Sequence, residues 1–359
     1  MDPVRLYAQC HCKKQTFHVD VPKSSLPLVN ETCHCDDDRH ITGLLAGDFA
    51  ILPPETQVFD EDRIPNGLSR YMKPGGRVRW YFCQTCGAHI VQSAPKEDGG
   101  TKWLMSLGTL YPLELPDGTK TTQLQRHSFV KYGRDLGGLA RFLPDGVPRY
   151  ADGTSTEAIT DRDVATKEEE EAIRQAAEAR TLPLRCHCGH VQLDVHRPSS
   201  SPVPEAFKGA VVGDSWLWNF CLCHSCRTTS GFDASCYFFA PYTHITGSSS
   251  SSHPTDGLST YSSYPGRRRH FCPTCGACVF FDRADRGDLC DVFLGLVDVP
   301  LAALFSSWIR PAKKMSFWAY AKNKELAQTL AKGFCPDEDL SLTQATAKAS
   351  ADYDGALVI

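Results

Sequence analysis

The 17 cysteines of this chain constrain its fold more than any other feature, because most of them occur in short motifs. Cysteines two or three residues apart are poor disulfide partners, since the short chain between them does not easily reach disulfide geometry. The same spacings suit metal ligation, which in a reducing compartment is the commoner use of clustered cysteines. We therefore expect Zn²⁺ as the bound metal. The motifs are Cys10 with Cys12, Cys33 with Cys35, Cys83 with Cys86, Cys186 with Cys188, Cys221 with Cys223 and Cys226, and Cys272 with Cys275.

These motifs occur twice in the same order, which predicts two tandem copies of one domain. A chain of 359 residues is also too long for a single typical core. The clearest match joins residues 82–88, FCQTCGA, to residues 271–277, FCPTCGA. Residues 10–12 match 186–188, and residues 33–35 match 221–223, so the second copy must carry extra residues between these two motifs.

The predicted boundaries are 1–149 for the first copy, 150–183 for a linker, 184–335 for the second copy and 336–359 for a tail. The linker is polar, and its acidic run 168–171 leads into an Ala-, Glu- and Arg-rich stretch that stops before Pro183. This pattern predicts a charged helix that acts as a spacer. Short β-rich runs between turn signals predict that each copy is mainly β and mostly antiparallel. These runs are 16–19, 77–82, 191–195, 237–239, 278–281 and 292–296.

Composition argues against two classes of partner. The formal net charge of −4 gives no reason to expect nucleic acid or an anionic membrane as the main partner. No apolar stretch is long enough to span a bilayer, and the first residues lack the layout of a secretory signal. We therefore expect a cytoplasmic protein.

The number of cysteines in each copy predicts different metal sites. Residues two apart on a strand point to the same face, and a Cys-x-x-Cys-Gly turn also brings two sulfurs together. One motif of each kind supplies four sulfurs, the closed set of a structural zinc site. The second copy has seven clustered cysteines, which divide into four and three, and a three-ligand zinc keeps a position for chemistry. The first copy has six and carries Asp38 where the second has Cys226. Because a carboxylate can also ligate zinc, its second site is either an altered zinc site or, as we favour, a degenerate or empty one.

In combination, the motifs resemble the glutathione-dependent formaldehyde-activating enzyme family, also called the centromere protein V family. The resemblance is carried by CHCG at 186–189, by the 221–231 segment CLCHSCRTTSG, by FCPTCG at 271–276 and by Trp318. Each copy shows the resemblance over nearly its whole length, and only the linker and the tail lie outside it. It implies two tandem β-tent zinc-binding domains, built from antiparallel sheets around zinc.

The resemblance also implies roles for individual cysteines. Cys33 and Cys35 would be remnants of a second site, and Lys13 stands where the second copy has Gly189. The implied structural zinc ligands are Cys186, Cys188, Cys272 and Cys275 in the second copy and Cys10, Cys12, Cys83 and Cys86 in the first. The implied ligands of the catalytic zinc are Cys221, Cys223 and Cys226.

The implied activity joins glutathione and formaldehyde to S-(hydroxymethyl)glutathione, which is a carbon–sulfur lyase reaction in reverse. We therefore predict a zinc-dependent, carbon–sulfur lyase-like enzyme that acts in its second copy on thiol adducts of aldehydes or related carbonyl compounds. Its partner would be a small glutathione-like thiol. The rival hypothesis is a non-catalytic zinc scaffold for a protein or nucleic-acid partner. A biosynthetic enzyme that isomerises or cleaves a thioether would share the same metal site.

Several neighbouring residues leave alternatives open. Cys236 is either a fourth ligand of the second site or a buried free cysteine, and the apolar residues beside it favour burial. Residues 267–269, three consecutive arginines, either meet substrate carboxylates or form a solvated hairpin strand, which we favour. His11 and His187 alternate with ligand cysteines, so we expect both to point away from the metal.

Overall fold

The computed structural model describes residues 3–97, 99–130, 138–143, 146–159, 166–247, 253–312, 315–316 and 320–334. Trp318 and the predicted tail lie outside this set. Strands predominate in both halves, which confirms the expectation of a mainly β protein. No helix in the described ranges has the length and apolar character that crossing a bilayer requires.

The first copy consists of a small sheet, a large sheet and one short helix, α1 (Asp36–Thr42). Its strands are β1 (Pro3–Gln9), β2 (Thr16–Pro22), β3 (Leu28–Cys33), β4 (Gly47–Ile51), β5 (Leu68–Tyr71), β6 (Arg79–Cys83), β7 (His89–Pro95), β8 (Thr101–Ser106), β9 (Leu110–Tyr111) and β10 (Thr122–Ser128). The small sheet has the order β2-β1-β9, and the large one has the order β10-β3-β4-β8-β7-β6-β5. Pairing is antiparallel except between β10 and β3.

The second copy repeats the plan of the large sheet with added elements, and its small sheet again has three strands, in a different order. Its helices are α3 (His224–Ser230), the short α4 (Leu301–Ala303) and α5 (Lys324–Phe334). Its strands are β11 (Thr181–Arg185), β12 (Gln192–His196), β13 (Val211–Val212), β14 (Ser215–Cys221), β15 (Ser235–Pro241), β16 (Ile245–Gly247), β17 (Ser259–Tyr264), β18 (Arg267–Phe271), β19 (Cys278–Arg283), β20 (Leu289–Phe293) and β21 (Ile309–Pro311). The large sheet runs β13-β14-β15-β20-β19-β18-β17, with β21 parallel to β14.

The extra residues of the second copy form a 3₁₀ turn at Glu205–Ala210 and strand β13, which lengthen its large sheet by one edge strand. Three predicted runs extend beyond the observed strands. The run 77–82 overlaps β6, which begins at Arg79, and the run 191–195 overlaps β12, which begins at Gln192. The run 292–296 is a strand only as far as Phe293, and Leu294–Leu296 form a 3₁₀ turn.

The linker contains the predicted helix, α2 (Lys167–Glu178). Thr166 and Glu169 form a capping box at its first turn, which satisfies backbone N–H groups that would otherwise lack partners. The helix has no buried residue, yet its end is held by the second copy. Trp308 Nε1 donates to the Ala176 carbonyl at 2.9 Å, and the Arg197 guanidinium donates to the Ala177 carbonyl at 2.5 Å.

The two copies pack against each other through matched contacts, related as in a two-fold symmetric pair. Gly295 N–H donates to the Gly43 carbonyl at 3.0 Å, and its counterpart Gly108 N–H donates to the Gly231 carbonyl at 2.9 Å. Where α1 or α3 ends, a glycine with positive φ (78° at Gly43, 87° at Gly231) touches the backbone of the other copy. A side chain there would collide, since a Cβ on Gly43 would lie 2.1 Å from the Cys278 carbonyl oxygen.

The hydrophobic core continues across this interface. Phe142 of the first copy packs its ring against Trp218 at 5.2 Å and against Phe334 at 6.3 Å between centroids. Trp216 and Trp218, which share one face of β14, are fully buried in this core. The core of the second copy therefore extends into the first copy, whereas the remaining buried apolar residues of the first copy form a cluster of their own.

Candidate metal centres and the adjacent cavity

Two clusters of four cysteines lie at equivalent places in the two copies, and within each cluster every sulfur is within 4.8 Å of the others. Around a tetrahedral zinc with Zn–S bonds of about 2.3 Å, sulfurs lie roughly 3.8 Å apart. The measured separations fit this geometry: Cys186 Sγ lies 3.8 Å from Cys272 Sγ, and Cys188 Sγ lies 3.5 Å from Cys272 Sγ. The first cluster is Cys10, Cys12, Cys83 and Cys86, and the second is Cys186, Cys188, Cys272 and Cys275.

The local backbone explains why these sulfurs converge. After β18, residues 272–275 form a tight turn, and Gly276 takes the positive φ of 81° that closes it. Gly276 N–H donates to the Cys272 carbonyl at 2.9 Å. The Val191 N–H points at Cys186 Sγ at 3.2 Å, the contact that a thiolate accepts well.

The histidines between these ligands point away from the sulfurs, as expected. His187 Nδ1 lies 2.7 Å from the Tyr71 hydroxyl of the first copy, and His11 Nδ1 lies 2.8 Å from the Tyr261 hydroxyl of the second. Through these contacts, each four-cysteine cluster is linked by a hydrogen bond to a strand of the other copy.

The third cluster consists of Cys221, Cys223 and Cys226, all buried. Cys221 ends β14, and Cys223 is the N-cap of α3, where its sulfur accepts the Cys226 N–H at 3.3 Å. The turn from strand to helix therefore presents three sulfurs to one point. No fourth Cys, His, Asp or Glu of the described chain joins this group.

Cys236 is not that fourth ligand. It lies on β15 next to Tyr237, and successive residues of a strand face opposite sides. Tyr237 packs in the cluster that contains the three cysteines, whereas Cys236 packs in the apolar core. Burial raises the pKa of the Cys236 thiol to about 12.

A small cavity adjoins the three cysteines, with a volume of about 20 Å³, enough for roughly one water molecule. The polar residues in its wall are mostly charged or aromatic hydroxyl-bearing side chains. They are Ser225, Tyr237, Ser263, Tyr264, Arg267, Arg269, Arg283, Arg286 and Asp291. In this conformation only a group of about that size fits beside the sulfurs.

Arg269 corrects our expectation of a solvated arginine strand. Its side chain is buried, and Nη2 donates to Ser225 Oγ at 2.8 Å and to Cys226 Sγ at 3.5 Å. The alternation of β18 sends Arg267 and Arg269 towards the cysteines and sends Arg268 to solvent, where it pairs with Asp282 at 2.8 Å. Three consecutive arginines therefore have two different environments.

Electrostatics favour a thiolate at the end of this cluster. Hydrogen bonds with Cys221 and Cys223, assisted by the charge of Arg269, hold the pKa of Cys226 well below its usual value. Burial raises the pKa of Cys221 well above its usual value. A bound cation would reverse the effect at Cys221, because metal ligation stabilises the deprotonated sulfur.

A buried ion pair, which the sequence did not point to, completes the cavity wall. Arg286 Nη1 lies 2.7 Å from Asp291 Oδ1, and burial raises the pKa of Asp291 to about 6. Within the described chain, Arg286 Nε and Nη2 and Asp291 Oδ2 have no hydrogen-bond partner. Polar atoms buried without partners are uncommon and point to a bound group. A single aspartate inside the apolar strand β20 was the available signal.

The first copy has its own counterpart to the third cluster. Cys33, Cys35 and Asp38 present two sulfurs and a carboxylate oxygen within 4.8 Å of one another. The sulfurs of Cys33 and Cys35 are 3.3 Å apart, and Asp38 Oδ2 is 3.6 Å from Cys35 Sγ. The residues that we expected to be remnants are therefore still assembled.

The fold and these sites define the chain as a tandem β protein with cysteine-rich groups positioned to bind metal. The model of the family described as "Glutathione-dependent formaldehyde-activating enzyme" matches residues 5–131 and 181–319, more than half of the chain. The chain belongs to this family, and the match to two regions confirms the tandem arrangement. Membership associates it with glutathione-dependent formaldehyde activation.

Two further comparisons add little. No curated protein matched the chain. A solved crystal structure of a Rhodobacter sphaeroides protein, a structural-genomics target, is 17% identical over 36% of this chain and 99% of its own, with a TM-score of 0.24. A similarity at that level adds nothing to the account of the fold or the site.

Proposed function

We propose that the chain is a zinc-dependent, carbon–sulfur lyase-like enzyme that forms or cleaves thiol adducts of aldehydes or related carbonyl compounds in its second copy. The observation that carries the proposal is the group of three buried cysteines that adjoins a cavity instead of a fourth protein ligand. Three protein ligands are the hallmark of a catalytic zinc, and four sulfurs are that of a structural one.

The donor set fits zinc, since thiolates are preferred ligands of this ion and a reducing compartment such as the cytoplasm would keep them free. When bound, zinc supplies stabilisation of a substrate thiolate or polarisation of a carbonyl. Hydrogen bonds with Cys221 and Cys223, together with the donor Arg269, lower the pKa of Cys226 and so favour its anionic form. Arg269 and Cys226 both line the cavity, so the same contact orients the Cys226 sulfur at the cavity wall.

The charged wall supports a small, partly anionic substrate. Arg267 and Arg286 contribute positive charge at the cavity, and a glutathione-like thiol carries carboxylates that guanidinium groups bind well. Asp291 is a candidate proton acceptor for the thiol or the adduct hydroxyl, since it lines the cavity and its Oδ2 lacks a partner. Because the cavity is narrow, we expect Tyr264 and Arg267 at its rim to move when a tripeptide thiol binds.

The test measures zinc content and glutathione-dependent turnover of a panel of small aldehydes for the full chain and its Cys226→Ser variant. We expect the variant to lose one zinc per chain and most of its turnover. Cys236→Ala is the matched control, because it removes a buried sulfur from the same region that belongs to the core. That control should keep both zinc and activity.

Two results would reject the proposal. Unchanged turnover in Cys226→Ser would mean that the three-cysteine group does no chemistry. Absence of turnover in the unmodified chain with every thiol and carbonyl tested, together with zinc that thiols do not exchange, would favour the non-catalytic scaffold.

A further inference from the structure

We propose that the first copy holds a second metal ion of its own, a zinc-type divalent cation bound by the Cys33 and Cys35 thiolates and the Asp38 carboxylate. This replaces our expectation that the site is degenerate or empty. The inference concerns the first copy only, so it does not depend on the activity proposed for the second.

The local structure around these residues is the same as that of the three-cysteine group. Cys35 is the N-cap of α1 and accepts the Asp38 N–H at 3.4 Å, as Cys223 accepts the Cys226 N–H at 3.3 Å. Each helix starts after the second cysteine and carries its third candidate ligand in its first turn. The substitution of aspartate for cysteine has therefore left the geometry of the group unchanged.

Asp38 is held in a ligand's orientation. Trp80 Nε1 donates to its Oδ1 at 2.9 Å, and Gln92 Nε2 donates to the same oxygen at 3.2 Å. These two donors leave Oδ2 facing Cys35 Sγ at 3.6 Å. Hydrogen bonds of this kind from surrounding residues orient carboxylate ligands in metal sites.

Burial gives a second, independent reason. Asp38 is only 5% exposed, and in the part of the chain that the structure describes no basic side chain forms an ion pair with it, since Lys73, whose charge also acts on Asp38, pairs with Asp37. A buried carboxylate without a cation is unfavourable, because it loses hydration that hydrogen bonds alone do not fully replace. A divalent ion between Oδ2 and the two sulfurs would supply that charge.

The residues around the two groups have changed together. The strand position that holds Arg269 in the second copy holds Trp80 in the first, since both lie two residues before a matched phenylalanine and next to the third candidate ligand. Arg269 donates to a sulfur, and Trp80 donates to a carboxylate oxygen. Each copy thus supplies an N–H donor suited to its own ligand, which is the pattern expected if both positions bind metal.

The alternative is a metal-free group of two thiols and a protonated carboxyl. Cobalt distinguishes the two, because Co²⁺ replaces zinc in such sites and its absorption reports bound thiolate. The full chain is produced in zinc-depleted, cobalt-supplemented medium and dialysed against Co²⁺, and bound cobalt is measured as the excess over the dialysate. We expect four cobalt ions per chain: two in the four-cysteine groups, one in the three-cysteine group and one at Asp38.

The Asp38→Ala variant should bind one cobalt fewer. Asp37→Ala is the control, because Asp37 is the neighbouring carboxylate and pairs with Lys73 instead of joining the group. The Asp38→Cys variant should keep all four ions and gain thiolate-to-cobalt absorption. If Asp38→Ala fails to fold, the Asp38→Cys variant still tests the proposal.

Three cobalt ions in the unmodified chain, with no loss in Asp38→Ala, would overturn the proposal. So would an Asp38→Cys variant whose thiolate-to-cobalt absorption equals that of the unmodified chain. The Cys226→Ser variant, measured in parallel, should lose its ion from the second copy instead. Failure of the proposed enzyme and failure of this site are therefore distinguishable.

Discussion

Individual residues on matched strands distinguish the chemistry of the two copies. Tyr237 and Asp291 in the second copy correspond to Phe49 and Leu104 in the first, as the strand registers on either side of the matched cysteines show. Neither of these two positions carries a charged or hydroxyl-bearing side chain in the first copy. At its candidate metal site Asp38 is buried, Cys33 and Cys35 are half-buried, and the Lys73–Asp37 ion pair lies close by.

The buried carboxyl of Asp291 should give a measurable pH dependence. Its pKa in the fold is about 6, above the ordinary value of 3.8, so the folded state loses stability as the pH rises between those values and the carboxyl ionises. Asp291→Asn removes this loss. The quantity to compare is the difference in the free energy of unfolding between the variant and the unmodified chain. When the pH is raised from about 4 to about 7, this difference should shift in favour of the variant by roughly 3 kcal/mol.

Denaturant unfolding at the two pH values checks this. Asp288→Asn is the control, because Asp288 lies near the same strand and is not part of the cavity wall. Parallel pH profiles for Asp291→Asn and the unmodified chain would show that the Asp291 carboxyl does not titrate as described.

A second residue-scale prediction concerns Lys13, which holds a φ of 62° where its counterpart Gly189 has 77°. A left-handed conformation is unfavourable for a residue with a Cβ, by about 1–2 kcal/mol, and costs glycine little. Lys13→Gly should therefore raise the free energy of unfolding by about 1 kcal/mol, because glycine's flexibility in the unfolded chain offsets part of the gain. Lys14→Gly should give no such gain, and equal effects at both positions in denaturant unfolding would contradict the argument.

At the scale of elements, sequence reasoning found what depends on local spacing. The turns, the helical linker and the cysteine pairs follow from residues close in the chain, such as Cys272 with Cys275. Which pairs combine into one metal group was implied by the family resemblance. The burial of Arg269 was missed, because a run of three arginines hides the alternation of a strand. The pairing of Arg286 with Asp291 was missed, because Arg286 lies in the 3₁₀ turn before β20 and only the path of that turn brings its side chain back to the strand.

Substitution of a single glycine tests the contact between α1 of the first copy and the turn after β20 of the second. A Cβ on Gly295 would lie 2.2 Å from the Leu44 carbonyl oxygen, and both atoms are fixed by backbone. Overpacking of this kind destabilises by about 1–3 kcal/mol or more. Gly295→Ala and its counterpart Gly108→Ala should both lower the thermal midpoint of unfolding.

Gly153→Ala is the matched control, because the nearest atom to its Cβ would be a ring carbon of Phe129 at 3.2 Å, and no described atom of the second copy would lie within 4 Å. Equal and small shifts in all three variants would mean that the copies do not approach as closely as the structure has them.

For the whole molecule, one core cluster contains residues of both copies and joins them, and this was beyond the reach of sequence reasoning. The repeat indicated two domains, and nothing in either copy alone indicated that Gly43 and Gly231 meet the opposite copy. His89 lies at this junction, where the Gly231 contact and the Phe82 ring surround it. Burial lowers its pKa to about 4.

Acid should therefore weaken the joined molecule. His89 is neutral in the fold, so stability is lost as the pH falls from the ordinary histidine pKa of 6.5 to about 4, where the folded state also accepts the proton. The loss amounts to about 3 kcal/mol. In denaturant unfolding over this pH range, His89→Leu should lose about 3 kcal/mol less stability than the unmodified chain. The exposed His190→Gln should follow the unmodified chain. An unchanged pH dependence in His89→Leu would contradict this account.

The central claim is that the two copies divide their labour, with chemistry at the three-cysteine group and none at its counterpart. The most direct measurement compares glutathione-dependent aldehyde turnover in Cys226→Ser with that in Cys33→Ser. We expect the first substitution to lower turnover about a hundredfold or more, as loss of a metal ligand or its support commonly does, and the second to leave it within about twofold. Equal loss in both variants, or loss only in Cys33→Ser, would contradict the account.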